Sequence, residues 1–542
     1  MNSANPPDNN APKENRFLAP RRLRKIARVL PVLVPLLLLM GTGLWGVDYG
    51  RHWDERNHIR AMHGVVDSGV LMPSFYHYPS VTFWLNAAAL APDLAKAWMQ
   101  GYTTGDEIRE QLHQALQSKA YSLRLRRIYI TISSLSVLWV YLLVLAWRRS
   151  WVEALLAASF LGLSWEVGYQ IRWVAPDAVM MQFGALTILC AMLSRLRPER
   201  GRLWLGLAAA AAGLGCGTKY PGGLLLVPVL VAAYQSWDGV SPRQRTRRIA
   251  EVLLIFFGVY LLTTPATLLE PFKFFFQVSK KIGHYRTAHF KYTVEAGPEH
   301  LGRMLIYFGL VFFSRYLPLA AGVFALALTG AYAVYRKSQQ RGLLFFCFPV
   351  AYMLYFSLQR VMVVRNYLIL APFLAILAGR GVLFLWHRLP GRLWQSLLAA
   401  LVAVILIVNA VWLVHAAASI QHRESDYFVR RAAAYIEAHP ETRFFLSPQM
   451  QNEFAQIGWE APPNVTSNPS AEADLAIFYS NEGMHLHLWP ANRLGTFPAW
   501  FGTEDVNLDY YPSWREFRIL MMPMEHARRL GVQAVMPSAD PQ

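Results

Sequence analysis

The sequence predicts an all-α multi-pass membrane protein that ends in a small α/β domain outside the membrane. Hydrophobic residues make up 54% of the 542 residues and charged residues only 16%, against roughly 25% in a typical soluble domain. The apolar residues cluster into long runs of membrane-spanning length and do not recur at the periodicity of a soluble core. After Ile420 these runs stop, and short patterns typical of strands and amphipathic helices replace them.

The first part of the chain is a tail followed by apolar spans. Residues 1–27 are rich in Pro and Asn and then basic, which predicts a disordered cytoplasmic tail. Residues 28–418 form the predicted membrane domain of about eleven transmembrane helices. The predicted spans are about 28–48, 126–147, 151–170, 177–194, 203–217, 220–236, 249–269, 304–335, 343–358, 367–387 and 395–418.

The distribution of basic residues predicts the orientation of these spans. Short loops on one side are all basic, among them SRLRPERGR and PRQRTRR, and the positive-inside rule places such loops in the cytoplasm. We therefore expect a bacterial inner-membrane protein with a cytoplasmic N-terminus. Residues 49–125, 270–303 and the C-terminal domain are expected outside, although 270–303 is itself basic. Cytoplasmic arginines facing anionic lipid account for most of the net charge of +18, so no nucleic-acid partner is expected.

Residues 419–542 are predicted to form the extracytoplasmic α/β domain. The segments RFFLSP and DLAIFYS are typical of short buried strands, and DYFVRRAAAYIEAHP is typical of an amphipathic helix. Three cysteines lie far apart inside apolar runs, without the spacing of a metal site or a disulfide framework.

An acidic pair follows the first apolar span. Asp54 and Glu55 begin a predicted amphipathic helix that runs to about Asp67 and ends at Gly69. The helix dipole favours ionised carboxylates in the first turn, and an ionised Asp above the membrane is suited to act as a general base. A helix cap with a solvated face explains the same pair equally well.

A divalent metal at this acidic pair is a weaker hypothesis. His52 and His58 flank the pair, and carboxylate with imidazole suits Mn or Zn, or Mg with carboxylates alone. The histidines lack a firm ligand spacing, so we expect no metal site.

Further polar clusters lie on the same predicted side as the acidic pair. Basic and aromatic groups at a membrane surface suit a lipid phosphate, although salt bridges or snorkelling to headgroups explain each residue alone. The clusters contain Arg172 with Asp177, Lys219 with Tyr220, Arg365, and the basic residues Lys280, Lys281 and Arg286.

The order of these motifs resembles the polyprenyl-phosphate-dependent GT-C glycosyltransferases. The closest group is glycosyltransferase family 39, with the protein O-mannosyltransferases and the lipid A aminoarabinose transferases. The resemblance covers roughly residues 28–390. It is carried by Asp54-Glu55, Pro73 with Tyr76-His77-Tyr78-Pro79, Arg172 with Pro176-Asp177, Gly217-Thr218-Lys219, and Arg365-Asn366-Tyr367 with Pro372.

The resemblance implies a GT-C bundle with two surface helices in the first outer loop. It also implies an inverting enzyme that moves a sugar from a polyprenyl phosphate to a hydroxyl of a lipid, glycan or protein of the cell envelope. Asp54 matches the catalytic base and Asp177 the second acidic residue, and Glu55 is the alternative carboxylate. The developing phosphate charge needs cations. Candidates for that role are Lys219, Arg365, Arg172, Lys280, Lys281 and Arg286, and the candidates for substrate contact are Tyr76, His77, Tyr78 and Tyr220.

One position departs from the family pattern. The aminoarabinose transferases carry a Lys just before the proline that matches Pro79, and this chain has Tyr78 there. This difference argues against an aminoarabinose donor and leaves the sugar open. A lipid-linked sugar flippase and an oligosaccharide polymerase or ligase are the alternative functions. Transporters usually place ionisable residues near the bilayer midplane and show internal repeats, which this sequence does not.

Overall fold

The structure is a computed structural model that describes most of the chain. It covers residues 28–47, 53–102, 104–235, 241–287, 293–314, 316–337, 339–421, 427–469, 471–479, 492–495 and 519–529. For Asp54 it describes the backbone only. The predicted tail of residues 1–27, His52 and most of the chain after Tyr479 lie outside the described residues.

The described part of the chain is mostly helical, as predicted. The first half contains α1 (Leu33–Trp45), α2 (Trp53–Ser68), α3 (Val81–Met99), α4 (Gly105–Gln117), α5 (Lys119–Arg148), α6 (Trp151–Gly162), α7 (Trp165–Gln170), α8 (Pro176–Leu196), α9 (Gly201–Thr218) and α10 (Leu226–Gln235). The second half contains α11 (Pro242–Thr263), α12 (Ala266–Leu269), α13 (Pro271–Thr287), α14 (Pro298–Leu310), α15 (Leu317–Lys337), α16 (Gln339–Ser357), α17 (Ala371–Trp386) and α18 (Gly391–Gln421).

Several of these helices are apolar enough to cross a membrane. Five are also long enough, namely Lys119–Arg148, Pro176–Leu196, Leu317–Arg336, Val364–Trp386 and Gly391–Val414. Shorter apolar helices span Leu30–Trp45, Trp151–Gly162 and Tyr220–Gln235. The multi-pass membrane class is therefore confirmed, and the count of about eleven spans stays a prediction.

Three predicted spans are wrong as continuous helices. The span at 249–269 is divided between α11 and α12, which are separated at Thr264 and Pro265. The span at 151–170 is divided between α6 and α7, which are separated at Leu163 and Ser164. The span at 304–335 is divided between α14 and α15, with residues 311–316 between them. Apolar composition indicates burial in a membrane or a core but does not reveal such an interruption.

The interruption at Leu163 and Ser164 contacts the one that follows α14, and hydrogen bonds between them stabilise both. Ser164 Oγ donates a hydrogen bond to the Phe312 carbonyl at 2.8 Å, and Trp165 Nε1 donates to the Val311 carbonyl at 2.6 Å. A helix break inside a membrane is stable only when the exposed backbone groups find partners in the protein. The side chains at one break thus supply donors for the carbonyls at the other.

The first predicted outer segment contains α2, α3 and α4. The predicted amphipathic helix is confirmed as α2, and it ends where Gly69 takes a φ of +66°, a value that suits glycine at a helix C-terminus. Helix α4 begins with a reciprocal capping box between Thr104 and Glu107. The segment has three helices, one more than the resemblance implied.

The C-terminal part contains a five-stranded sheet. The strands are β1 (Phe444–Leu446), β2 (Val465–Thr466), β3 (Leu475–Tyr479), β4 (Asn492–Gly495) and β5 (Ile519–Pro523), in the order β2-β1-β3-β5-β4. β1 pairs in parallel with β2 and β3, while β5 runs antiparallel to β3 and β4. Helices α19 (Tyr427–Glu437), α20 (Pro448–Gln456) and α21 (Met524–Arg529) accompany the sheet. The predicted strands and amphipathic helix are therefore present, and α18 extends past the predicted domain start at residue 419.

Candidate active site

A buried cluster of charged and polar side chains joins three predicted site residues. Lys219 Nζ lies 2.5 Å from Asp177 Oδ1 and 2.6 Å from Asn366 Oδ1. Arg365 Nε lies 3.5 Å from the other Asp177 oxygen, Oδ2. Asp177 is 1% exposed and Lys219 5% exposed, so this charge cluster is shielded from solvent. Two cationic side chains thus converge on one carboxylate.

Local sequence explains how Asp177 and Lys219 reach the cluster. Pro176 occupies the first position of α8, where its missing N–H costs no hydrogen bond, and Asp177 follows in the first turn. Helix α9 ends at Thr218, and Lys219 then takes an extended backbone that ends the helical hydrogen bonding. Asp177 is also placed where the helix dipole stabilises its negative charge.

The turn after Lys219 is packed closely against the end of α9. A Cβ atom on Gly222 would lie 2.3 Å from the carbonyl oxygen of Gly215, so the glycine lets two backbone segments touch. The Thr218 hydroxyl donates to the Leu214 carbonyl at 2.8 Å. The turn therefore positions Lys219 by packing against its own helix.

Asn366 is a site residue that the sequence analysis did not select. Its side-chain oxygen accepts a hydrogen bond from Lys219, and its backbone carbonyl accepts one from the Tyr352 hydroxyl at 2.8 Å. Its amide nitrogen faces the Tyr285 hydroxyl at 3.5 Å. Its position directly after Arg365 was the only hint in the sequence that it belongs to the site. A single Asn does not indicate a contact with a lysine 147 residues away.

The predicted substrate residues Tyr76 and Tyr220 are engaged within the protein. The Tyr76 hydroxyl donates to Glu270 Oε2 at 2.7 Å, and the Tyr76 amide donates to Gln277 Oε1 at 2.7 Å. The Tyr220 hydroxyl donates to the Tyr76 carbonyl at 2.8 Å. Burial, and then the hydrogen bond to Glu270, raise the pKa of Tyr76 well above its usual value. Both tyrosines therefore hold the loop of residues 73–79 against α12 and α13.

Tyr78 and Lys281 connect this loop to the charge cluster. The ring of Tyr78 stacks on that of His58 with an interplanar angle of 9°. The ammonium of Lys281 lies 5.6 Å from the ring centres of both Tyr78 and Tyr285, within the range of cation–π attraction. Because Tyr285 also faces Asn366, the predicted residues Tyr78 and Lys281 border one site with Lys219 and Arg365.

The remaining predicted cations and His77 lie in different surroundings. Lys280 and Arg286 are exposed on α13. Arg172 is 2% exposed and donates to the Thr42 carbonyl of α1 at 3.3 Å. His77 packs edge-on against Phe75, and burial followed by the charge of Lys281 lowers its pKa.

Glu55 is paired with an arginine that the sequence analysis left outside the site. Arg126 Nε and Nη2 each lie 2.7 Å from a Glu55 oxygen, and Arg126 Nη1 donates to the Val47 carbonyl at 3.1 Å. Glu55 is 5% exposed and Arg126 3% exposed. This fork-to-fork ion pair fastens the start of α2 to α5. The adjacent residue Asp54 is the second residue of α2.

Of the acidic pair and its flanking histidines, the structure describes the side chains of Glu55 and His58. No group of three His, Cys, Asp or Glu side chains in the described part of the chain is placed to hold a metal ion. Both Glu55 oxygens face Arg126, and His58 Nδ1 faces the amide of Asn86 at 3.3 Å. His52 lies outside the described residues, so metal dependence stays open to a direct test with chelators and added Mn, Mg or Zn.

Comparison with protein families identifies the class to which this site corresponds. Residues 79–278 match the family model described as dolichyl-phosphate-mannose-protein mannosyltransferase. The match covers less than half of the chain and includes Asp177 and Lys219. It confirms the predicted resemblance to glycosyltransferases that use polyprenyl phosphates. No curated protein matches the chain significantly.

Solved structures give the particular proteins that the chain is similar to. ArnT from Cupriavidus metallidurans bound to undecaprenyl phosphate has 13% identity and a TM-score of 0.46, over 92% of this chain and 97% of that chain. Its apo state has 14% identity and a TM-score of 0.47, over 93% and 98%. The archaeal oligosaccharyltransferase AglB from Archaeoglobus fulgidus, in complex with an inhibitory peptide and a dolichol-phosphate, has 12% identity and a TM-score of 0.45, over 80% and 64%. The family match over residues 79–278 is the stronger finding.

Proposed function

We propose that this protein is an inverting glycosyltransferase of the GT-C type. It moves a sugar from a polyprenyl-phosphate donor to a hydroxyl of a lipid, glycan or protein of the cell envelope. The reaction takes place on the outer face of a bacterial inner membrane, where the basic-loop pattern places the site. The family match over residues 79–278 carries this proposal.

The charge cluster supports the proposal because its cations can stabilise the negative charge of a departing polyprenyl phosphate. Lys219 and Arg365 contact different oxygens of the same carboxylate, so their cationic groups lie close together. Preformed cations in a site shielded from water stabilise developing negative charge strongly. Lys281, Lys280 and Arg286 on α13 extend the positive charge toward the surface.

The proposed reaction is a single displacement at the anomeric carbon of the donor sugar. Asp54 accepts the proton of the acceptor hydroxyl, and the resulting oxygen forms a bond to the anomeric carbon. The bond between that carbon and the phosphate oxygen breaks on the opposite face, which inverts the configuration. Its electron pair stays on the polyprenyl phosphate, where Lys219 and Arg365 balance the charge.

The ion pairs indicate different roles for the three candidate carboxylates, Asp54, Glu55 and Asp177. Asp177 holds Lys219 in place, and Glu55 holds Arg126 and the first turn of α2. Both carboxylates are thus already engaged by cations within the protein. Asp54 is therefore the carboxylate that we assign to proton transfer.

The direct test is transfer from a panel of radiolabelled polyprenyl-phosphate sugars, with purified protein and a cell-envelope extract. We expect label from at least one donor to enter an envelope component. Movement of the intact lipid-linked sugar across a vesicle membrane, without a new glycosidic bond, would instead support a flippase. Release of polymerised oligosaccharide would support a polymerase or ligase.

The role of Asp54 is tested with Asp54→Asn, which keeps the size of the side chain and removes the basic carboxylate. Transfer should fall by roughly two to four orders of magnitude, the usual contribution of a general base. Donor binding should stay within twofold to threefold of wild type. Full transfer activity in this variant would contradict the assignment and direct attention to Glu55 or Asp177.

A further inference from the structure

A small cavity lies between α2, α3 and the loop of residues 73–79. Its volume is about 270 Å³ including open solvent, and it has room for about one water-sized group. Its wall is mostly aromatic and apolar, with a few polar groups. The lining residues are His58, Ala61, Pro73, Phe75, Tyr78, Pro79, Ser80, Thr82, Phe83 and Asn86.

Two buried polar atoms on this wall have no hydrogen-bond partner among the described residues. They are His58 Nε2 and Ser80 Oγ, and the two side chains belong to residues that are 5% and 2% exposed. A buried polar group without a partner costs roughly 1–3 kcal/mol. Such groups in a cavity are therefore expected to meet a water molecule or a ligand oxygen.

Hydrogen bonds on the far side of His58 determine which nitrogen carries its proton. The Tyr129 hydroxyl donates to Asn86 Oδ1 at 3.2 Å, which leaves Asn86 Nδ2 facing His58 Nδ1 at 3.3 Å. An amide N–H can only donate, so His58 Nδ1 accepts and the proton lies on Nε2. His58 thus offers an N–H donor to the cavity, and Ser80 offers a hydroxyl that can donate or accept.

We infer that this cavity is the subsite for one hydroxyl group of the donor sugar, recognised by His58 Nε2 and Ser80 Oγ. Asn86 is a positioning residue that fixes the tautomer of His58. The inference rests on the proposed function, since the sugar must arrive on a lipid phosphate. The N–H of His58 needs an acceptor on the ligand. A sugar hydroxyl can accept this hydrogen bond, whereas an ammonium group of an amino sugar can only donate.

Proximity to the phosphate cluster favours the donor over the acceptor as the source of this hydroxyl. Burial, and then the charge of the Arg365 guanidinium, lower the pKa of His58 to about 4. The imidazole is therefore neutral at pH 7. Its ring stacks on that of Tyr78, whose centre lies 5.6 Å from the ammonium of Lys281, another cation proposed for the phosphate. The sugar is bonded directly to that phosphate, so its ring lies within reach of the cavity. The rings of Tyr78 and Phe75 at the mouth suit the apolar face of a sugar ring.

The test compares two kinds of probe lipid on the full-length protein in nanodiscs. The probes are undecaprenyl phosphate and its esters with mannose, glucose and galactose, and the measurement is the dissociation constant. Wild type should bind at least one ester more tightly than the bare lipid. His58→Phe and Ser80→Ala should each weaken binding of that ester roughly threefold to tenfold, with binding of the bare lipid unchanged. Asn86→Leu should have the same selective effect, because it releases the tautomer of His58.

His387→Phe is the control, since His387 is exposed after α17 and does not line the cavity, so this variant should bind both kinds of probe as wild type does. Ser80→Ala keeps the test valid if a His58 variant fails to fold. Equal binding of bare lipid and all esters by wild type would overturn the inference, as would equal losses for both probes in the variants. Failure of wild type to bind bare undecaprenyl phosphate would instead contradict the proposed function.

Discussion

At the residue scale, the ion pair of Lys219 and Asp177 contributes to the stability of the fold and, in the proposed function, to phosphate binding. A single substitution cannot separate these two effects. Lys219 is nearly inaccessible to solvent, and its ammonium lies between the side-chain oxygens of Asp177 and Asn366. Removing one partner of a buried pair leaves the other charge uncompensated, which typically costs about 3–5 kcal/mol. A loss of activity in Lys219→Met could therefore arise from instability alone.

The double variant Lys219→Met with Asp177→Asn separates stability from phosphate binding. Lys219→Met alone should lower the melting temperature, because the Asp177 carboxylate stays buried with less compensation. The double variant should recover much of that loss, yet both should bind undecaprenyl phosphate more weakly, by about 1.5–3 kcal/mol. Thermal unfolding and lipid binding measured on the same preparations provide the comparison.

Arg365→Met and Lys273→Met complete this series. Arg365→Met should weaken lipid binding in the same range, whereas Lys273→Met should not, because Lys273 is partly exposed on α13 and 3.8 Å from Glu270. Unchanged lipid affinity in the variants of both Lys219 and Arg365 would move the phosphate site toward Lys280 and Lys281.

At the scale of elements, two histidines join α2 to α4. His63 Nδ1 lies 2.6 Å from His113 Nδ1, and His113 Nε2 lies 2.8 Å from Asp67 Oδ1. Two facing nitrogens this close can share only one proton. Burial, and then the charge of His113, lower the pKa of His63 below its usual value of 6.5. The contact between the two helices therefore requires His63 to stay neutral.

This contact predicts a pH dependence with a definite sign. Because the pKa of His63 is lower in the folded protein, its stabilising effect is present above pH 6.5 and is lost as the pH falls below that value. Between pH 7.5 and 5.5 the melting temperature should decrease less in His63→Gln than in wild type. His387→Gln is the control, because His387 lies at the other end of the bundle. Parallel curves for wild type and His63→Gln would contradict the role of this pair.

The paired helix interruptions give a second prediction for elements. Ser164→Ala removes the donor to the Phe312 carbonyl and the acceptor of the Val167 N–H at the start of α7. It should therefore destabilise the protein by about 1–3 kcal/mol, the cost of a buried polar group left without its partner. Thermal unfolding measures the effect. Ser194→Ala is the matched control, since Ser194 is also buried but donates within its own helix to Ala191 at 2.7 Å. Equal stability of the two variants would argue against a role of the Ser164 bond in holding the break.

At the scale of the whole molecule, the site, α13 and the C-terminal sheet are predicted to share the outer side of the membrane. The prediction follows from the basic loops on the other side. Single cysteines at Lys96, Ser279 and Glu472, in a protein whose three native cysteines are replaced, should react with an impermeant thiol reagent on spheroplasts. All three positions have exposed side chains. Arg341→Cys, in a loop predicted to be cytoplasmic, should react only after lysis, and the reverse pattern would invert the topology.

The sequence by itself determined the class of the molecule and the positions of its main elements. Runs of apolar residues predicted a helical membrane domain, and the stop at Gly69 and the strands RFFLSP and DLAIFYS were visible in local patterns. These features depend on neighbours within a few turns of chain, so periodicity and turn chemistry are sufficient to predict them. The order of polar motifs along the chain also indicated the family that residues 79–278 match.

Only the tertiary structure decided which charges meet. Lys219 and Asp177 are 42 residues apart, and Glu55 and Arg126 are 71 apart. The sequence analysis treated Lys219 as a phosphate ligand and Glu55 as an alternative to Asp54, without seeing that each is held by an opposite charge. It also predicted continuous spans at three places where the structure has an interrupted helix. Long-range pairings of this kind leave no periodic signal, because burial and the need to satisfy each polar group are set by the packing of distant helices.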